Sequence, residues 1–293
     1  MKKWLFLALV MMAGQLCAES VQDILKKNSD PTLRYTQKLE NFNAACALAG
    51  DDSSLRKLCW INRFSFTNER IMHSAVQEML ADPKLKEEHR AEIFAVLFRS
   101  YGFAGDPDAA LKFFRERMEK TYGQAKVRYA VLIAMIYDEM YRIDGEPTKH
   151  DCLEMVKVLE SARMPEVAQD PELNWYLAKA HMKLGNLNSV NDSLQILRQK
   201  RPQYVSAGAV FELSGDLLRA QRLYAEAYQE YSRACAEEMR IGACWKQAEC
   251  AMVEQQYAHA LAALERIDPA QLDGEDRLLL QEQIRNLKNR VKK

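Results

Sequence analysis

Between Asp170 and Pro202 the chain reads DPELNWYLAKAHMKLGNLNSVNDSLQILRQKRP, two helical patterns joined by the tight turn Leu184-Gly185-Asn186. Leu177, the small Ala178 and His181 fall on the first helix. Leu187, Val190, Leu194 and Leu197 fall on the second, and Pro202 closes the unit. A pair of helices this short cannot bury its apolar face alone, so it needs neighbours of the same kind.

The chain supplies them. Phe211 to Ala234 repeats the pattern with Phe211, Ser214-Gly215, Leu218, Tyr224, Ala227, Tyr231 and Ala234; Cys244 to Ile267 repeats it with Cys244, Gln247-Ala248, Ala251, Tyr257, Ala260, Leu264 and Ile267. The small residues Ala178, Gly215 and Ala248 stand 37 and 33 positions apart. A small residue at a helix crossing lets two backbones approach, while aromatic and Leu side chains fill the space on either side. On this period and these residues, Tyr224-Ala227-Tyr231-Ala234 above all, the stretch 170–268 resembles the tetratricopeptide repeat family. Upstream the register is weaker. Phe94, Leu97, Tyr101, Ala110 and Phe114 keep the spacing, but Phe98 stands where a small residue is expected. Ile133-Ala134, Tyr137, Cys152, Val156 and Leu159 keep it only if Asp144–Lys149 is a longer loop between helices.

The resemblance implies a right-handed superhelical solenoid of antiparallel helix pairs, roughly four to six of them. It also implies a groove lined by one face of each first helix, where a partner lies as an extended or helical segment. Carried onto this chain, that face shows Trp175, Lys179, Met182 and Lys183, then Glu212, Asp216 and Arg219, then Trp245, Glu249 and Met252. Trp175 and Trp245 occupy equivalent places two repeats apart and would suit an apolar peptide side chain; packing between helices is the competing role. Glu212 and Asp216 put negative charge where some relatives clamp a terminal carboxylate, which disfavours that mode.

Composition agrees with an all-α fold. Gly and Pro number only 11 and 8, and no long run alternates Val, Ile and Thr. Five of the eight prolines follow Asp, at Asp30, Asp82, Asp106, Asp170 and Asp268. Asp before Pro suits a helix start, because the carboxylate accepts from exposed N–H groups and Pro at the first position loses no hydrogen bond. We divide the chain into residues 1–18, an irregular helical region or cap at 19–81, degenerate repeats at 82–169, the repeats at 170–268 and a C-terminal capping helix at 269–293. In that last segment Asp273 can cap, Leu280, Ile284, Leu287 and Val291 make an apolar stripe, and Arg285, Lys288, Arg290 and Lys292 crowd the C-terminal end as the helix dipole favours. A docking or dimerising helix, making a homo-oligomer, is the alternative there.

The first eighteen residues carry Lys2-Lys3, a short apolar core from Trp4 to Ala13 and the small-residue boundary Leu16-Cys17-Ala18 before Glu19. This is the pattern of a cleaved signal peptide, its core about half the roughly 20 residues that span a bilayer. We therefore expect an exported product without stable membrane insertion, in the periplasm or outside the cell, with a bacterial envelope as the setting. Cleavage leaves 39 basic against 41 acidic residues, a balance that argues against nucleic acid as partner. Six cysteines remain. Cys235 and Cys244 flank one inter-helix connection and Cys46 and Cys59 bracket another, so bridges Cys235–Cys244 and Cys46–Cys59 are expected, with Cys152 and Cys250 free.

Nothing in the sequence assembles a catalytic, cofactor or metal motif. His150-Asp151-Cys152 sets a base near a thiol, but Cys152 falls on an apolar helix face. Cys244 and Cys250 lack the spacing and the second pair of a zinc site, and HExxH, phosphate-binding and dinucleotide-binding patterns are missing. The expectation is a non-enzymatic, cofactor-free module that binds protein or peptide partners in envelope assembly. A helical accessory domain of an envelope enzyme system, or a homo-oligomeric structural component, is the alternative.

Overall fold

The computed structural model describes residues 21–101, 106–139, 142–143, 146–238 and 240–291. The expected signal peptide, 1–18, lies outside them. The chain divides into two compact units, one ending at Ile136 and the other beginning at Tyr137.

In the first unit, α1 (residues 21–27), α2 (Tyr35–Ala49), α3 (Ser53–Ser65), α4 (Glu69–Ala81) and α5 (Glu87–Tyr101) surround a core of Val21, Phe42, Ala45, Cys59, Trp60, Phe64, Ala75, Met79 and Ile93. Aromatic side chains lead this core, with Phe42 edge-on to Trp60 at 5.0 Å. The Arg63 guanidinium, buried, lies over the rings of Tyr35, Phe42 and Phe66 at 5.2, 5.8 and 5.5 Å. Next come α6 (Pro107–Glu119) and α7 (Gly123–Glu139). Between α5 and α6, Phe94 packs edge-on against Phe113 and Phe114, at 5.8 and 5.3 Å. Glu87 then ties three helices together. Its carboxylate accepts from Arg90 on α5 (2.5 Å), Arg117 on α6 (2.6 Å) and Tyr129 on α7 (2.7 Å). Burial pushes Glu87 up, but these donors outweigh it and hold the carboxyl below its usual value.

The second unit is the run of helix pairs that the sequence predicts. After a two-residue antiparallel hairpin, β1 (Arg142–Ile143) with β2 (Glu146–Pro147), come α8 (Lys149–Ala162) and a 3-10 turn at Pro165–Val167. Three pairs follow: α9 (Pro171–Leu184) with α10 (Leu187–Gln199), α11 (Ala207–Ala220) with α12 (Tyr224–Glu238), and α13 (Ile241–Val253) with α14 (Tyr257–Leu264). A last helix, α15 (Gly274–Val291), packs on α14, and each helix from α8 onward packs on the next. With connections of a few residues, packed neighbours must run antiparallel. Gly185 ends α9 at φ 78°, a left-handed conformation that a side chain would resist. Gly215 serves a different purpose: a Cβ there would lie 2.6 Å from Cε1 of Tyr231, so its hydrogen is what lets α12 come close. Asp273 caps α15 through the Asp276 amide (3.0 Å), and Leu280 and Leu287 are buried. Val291 is 46% exposed, so the stripe expected through it ends at Leu287.

Four further expectations, three of them Asp-Pro helix starts and one a cysteine bridge, need correction. Asp-Pro opens a helix at Asp106 and Asp170, where the carboxylate caps the first turn, but only a 3-10 turn at Asp268. At Asp30 it folds a local turn onto Thr32 (2.8 Å), and α2 starts four residues beyond Pro31. Asp82 likewise accepts from the amide two residues on, Lys84 (3.0 Å), with α5 starting only at Glu87, and it has further partners. Buried, it accepts from Arg56 (2.8 Å) and Trp60 (2.9 Å), so its carboxylate neutralises a cation inside the core. Cys235 and Cys244 are bridged, with Cα atoms 5.2 Å apart. Cys46 and Cys59 are not; both are free thiols, Cys59 buried and Cys46 half-buried.

Candidate functional site

The second unit carries a cavity of about 590 Å³ along the first helices of its pairs. In α9, α11 and α13 charged side chains reach the cavity from one helix after another, Lys179 and Lys183, then Asp216 and Arg219, then Lys246, and Lys179 and Asp216 stand at the same place in their repeats. The last turn of α7, the β hairpin and α8 close one end with Asp138, Glu146 and Pro147, and Cys152 and Met155. Met182, Leu213 and Ala220 supply apolar surface between the charges.

These charges are matched from helix to helix. Lys179 donates to Asp138 and Lys183 to Glu146. Lys246 of α13 lies 3.0 Å from Glu212 and 2.9 Å from Asp216, both on α11. Arg219 reaches forward to Glu249 (2.9 Å), and Arg240 lies 2.8 Å from Glu212. The Tyr231 hydroxyl donates to Asp216 (2.7 Å) from behind. Burial pushes Glu212 up, yet the ammonium of Lys246 and the guanidinium of Arg240 hold it below its usual range. Lys246, disfavoured as a cation by burial, is held protonated by Asp216 and Glu212. The floor is therefore a lattice of opposite charges bridging successive pairs, spaced by apolar patches.

Of the residues expected on this face, Lys179, Met182, Lys183, Asp216 and Arg219 line the cavity. Glu212 and Glu249 stand at its edge through Lys246 and Arg219. Trp175, Trp245 and Met252 do not line it. Trp175 packs, half-buried, against the cluster of Ala178, Val190, Leu194 and Leu197, and Trp245 and Met252 pack against that of Ala248 and Leu264. The indoles are drawn there because they bury a large apolar area between helices. Sequence reasoning missed Lys246, although its place one residue beyond Trp245 repeats Tyr176 in α9 and Leu213 in α11. It also missed Asp138, Glu146 and Met155, which precede the clear repeats, and it placed Cys152 in the degenerate register without assigning it to the groove.

The chemistry on offer here is recognition. Cys152 lines the cavity but is 1% exposed, and burial pushes its thiol up. His150, its presumed companion, is exposed on another side of α8. His181 is buried, which pulls its imidazole down toward the neutral form, and its Nδ1 pairs with the Asn186 amide at 3.2 Å. Among the described residues no group of three or more His, Cys, Asp and Glu side chains is placed to hold a metal ion, and no helix is long and apolar enough to cross a membrane.

No family model matches the chain, and a search of curated proteins finds no relative. Among solved structures it is similar to a tetratricopeptide repeat protein from Parabacteroides merdae, with a TM-score of 0.45 and 11% identity over 94% of this chain and 99% of that one.

Proposed function

We propose that this chain is an exported module that binds a protein partner as an extended or helical segment laid across α9, α11 and α13. The cavity of about 590 Å³ along these three helices supports the reading. Its apolar patches at Met182 and Leu213 lie among charges that are already paired, so the partner's side chains meet apolar surface without having to neutralise a bare charge. Ala220 allows a direct test, since it lines the cavity from the exposed end of α11. Ala220→Trp fills the space without entering the core. Binding to a partner peptide selected on an array should fall about tenfold or more, equivalent to about 1.4 kcal/mol, with the melting temperature unchanged. Unchanged binding overturns the assignment of the groove.

Export rests on the N-terminal pattern: Lys2-Lys3, the apolar core Trp4–Ala13 and the Leu16-Cys17-Ala18 boundary. Protein recovered from the periplasm or medium of an expressing bacterium should begin at Glu19. A chain that stays in the cytoplasm with Met1 intact overturns this part of the reading and leaves the groove untouched.

A further inference from the structure

Arg63, in the first unit, is a buried cation without an anion. It stands in the last turn of α3, 4% exposed. Its guanidinium carbon lies 5.2, 5.8 and 5.5 Å from the ring centres of Tyr35, Phe42 and Phe66. Among the described residues its single hydrogen bond runs from Nη1 to the Tyr35 hydroxyl, no carboxylate pairs with it, and its buried Nε meets no acceptor. Nearby cations are treated differently. Arg56 pairs with Asp82 (2.7 Å), Lys57 with Glu92 (2.5 Å) and Arg90 with Glu87 (2.5 Å). A ring face attracts a guanidinium, but more weakly than burial penalises an unpaired charge. A buried donor left unmet in this way points to a group that is yet to arrive. The rings around it are graded in exposure. Tyr35, the first residue of α2, is 37% exposed, and Phe66, just past α3, is half-buried; the two meet edge-on at 5.9 Å as an outer wall. Phe42, 6% exposed, is the inner one. The first turn of α2 carries no acidic residue that could supply the missing charge.

We propose that Arg63 and its three rings bind a small monocarboxylate with an aromatic body. The planar guanidinium offers paired N–H groups that match the two oxygens of a carboxylate. One buried positive charge balances one negative charge, so a phosphate dianion would leave a charge unmatched in apolar surroundings. The ring walls receive the aromatic body by stacking or edge contact. Entry is past Tyr35, whose ring swings outward from the first turn of α2 and releases Nη1 to the ligand. The site belongs to the first unit, and the groove belongs to the second.

Benzoate is the probe, with benzamide, its uncharged counterpart, and inorganic phosphate as controls at one ionic strength. Isothermal titration calorimetry on the purified full chain should show saturable benzoate binding at one site. The melting temperature should rise with benzoate concentration, and neither control should reproduce these effects. Arg63→Met keeps an apolar stem and removes the charge. It should weaken benzoate binding at least tenfold and, without benzoate, melt no lower than wild type, since the uncompensated cation goes with it. Tyr35→Phe keeps the ring, frees Nη1 and should bind benzoate more tightly than wild type. No saturable benzoate binding, an equal response to benzamide, undiminished binding in Arg63→Met or weaker binding in Tyr35→Phe would each overturn the proposal. An Arg63→Met chain that unfolds or melts well below wild type would make the guanidinium a structural post held by its rings, and overturn it too.

Discussion

A single hydrogen atom at Gly215 sets how close α11 and α12 can come. Gly215→Ala brings two opposed effects. Alanine favours the helix by about 1 kcal/mol, but its Cβ would meet the Tyr231 ring at 2.6 Å in a fully buried site. Overpacking of that kind typically costs about 1–3 kcal/mol, so the steric term should win. Tyr231 is also held by its bond to Asp216, which leaves the ring little room to swing aside. Urea denaturation should show Gly215→Ala less stable, and equal or greater stability would mean that the ring moves freely. This residue was legible because the repeat demanded something small there. The tryptophans were not: the same periodicity places Trp175 and Trp245 beside a groove or between helices, and only packing decides. Asp82 misled for a related reason, since a dipeptide that caps helices elsewhere here feeds its carboxylate to Arg56 and Trp60.

Among the helices of the first unit, Glu87 ties α5, α6 and α7 together. Glu87→Gln removes the ionised acceptor shared by Arg90, Arg117 and Tyr129 and should cost about 1.5–3 kcal/mol, the range for hydrogen bonds to a charged group. Because Glu87 is held below its unfolded value, its contribution is complete above that value and is lost as pH falls through the folded one. Asp82 is lowered as well, its bonds from Arg56 and Trp60 outweighing burial, and follows the same sign. Acid titration followed by circular dichroism should therefore show wild type losing stability as these carboxyls protonate, with a shallower loss in Glu87→Gln. A parallel decline in both would remove Glu87 from the account. At the other end of the chain, truncation before Asp273 strips α15 from α14 and exposes the apolar surface that Leu280 and Leu287 cover. The truncated chain should aggregate or melt lower; a stable monomer would show that α15 is not a cap.

Across the whole chain, legibility follows the period. Residues 170–268 repeat, so their helix pairs, the turn at Gly185 and the crossing at Gly215 could be placed before any coordinates. Upstream the register is weaker, and a carboxylate such as Glu87 carries no periodic mark. The charge lattice was half visible: its Lys, Asp and Arg members stood out, but pairing across repeats depends on rotamers that a sequence does not fix. The Cys235–Cys244 bridge has a practical consequence. Arg240 lies within the short segment that it spans, on the connection into α13. Trypsin cutting after Arg240 would sever the backbone, yet α12 and α13 would stay tethered through sulfur. The nicked protein should migrate as one band on a gel run without reductant and as two once reductant is added, so a digest read only under the first condition would record a cut chain as whole.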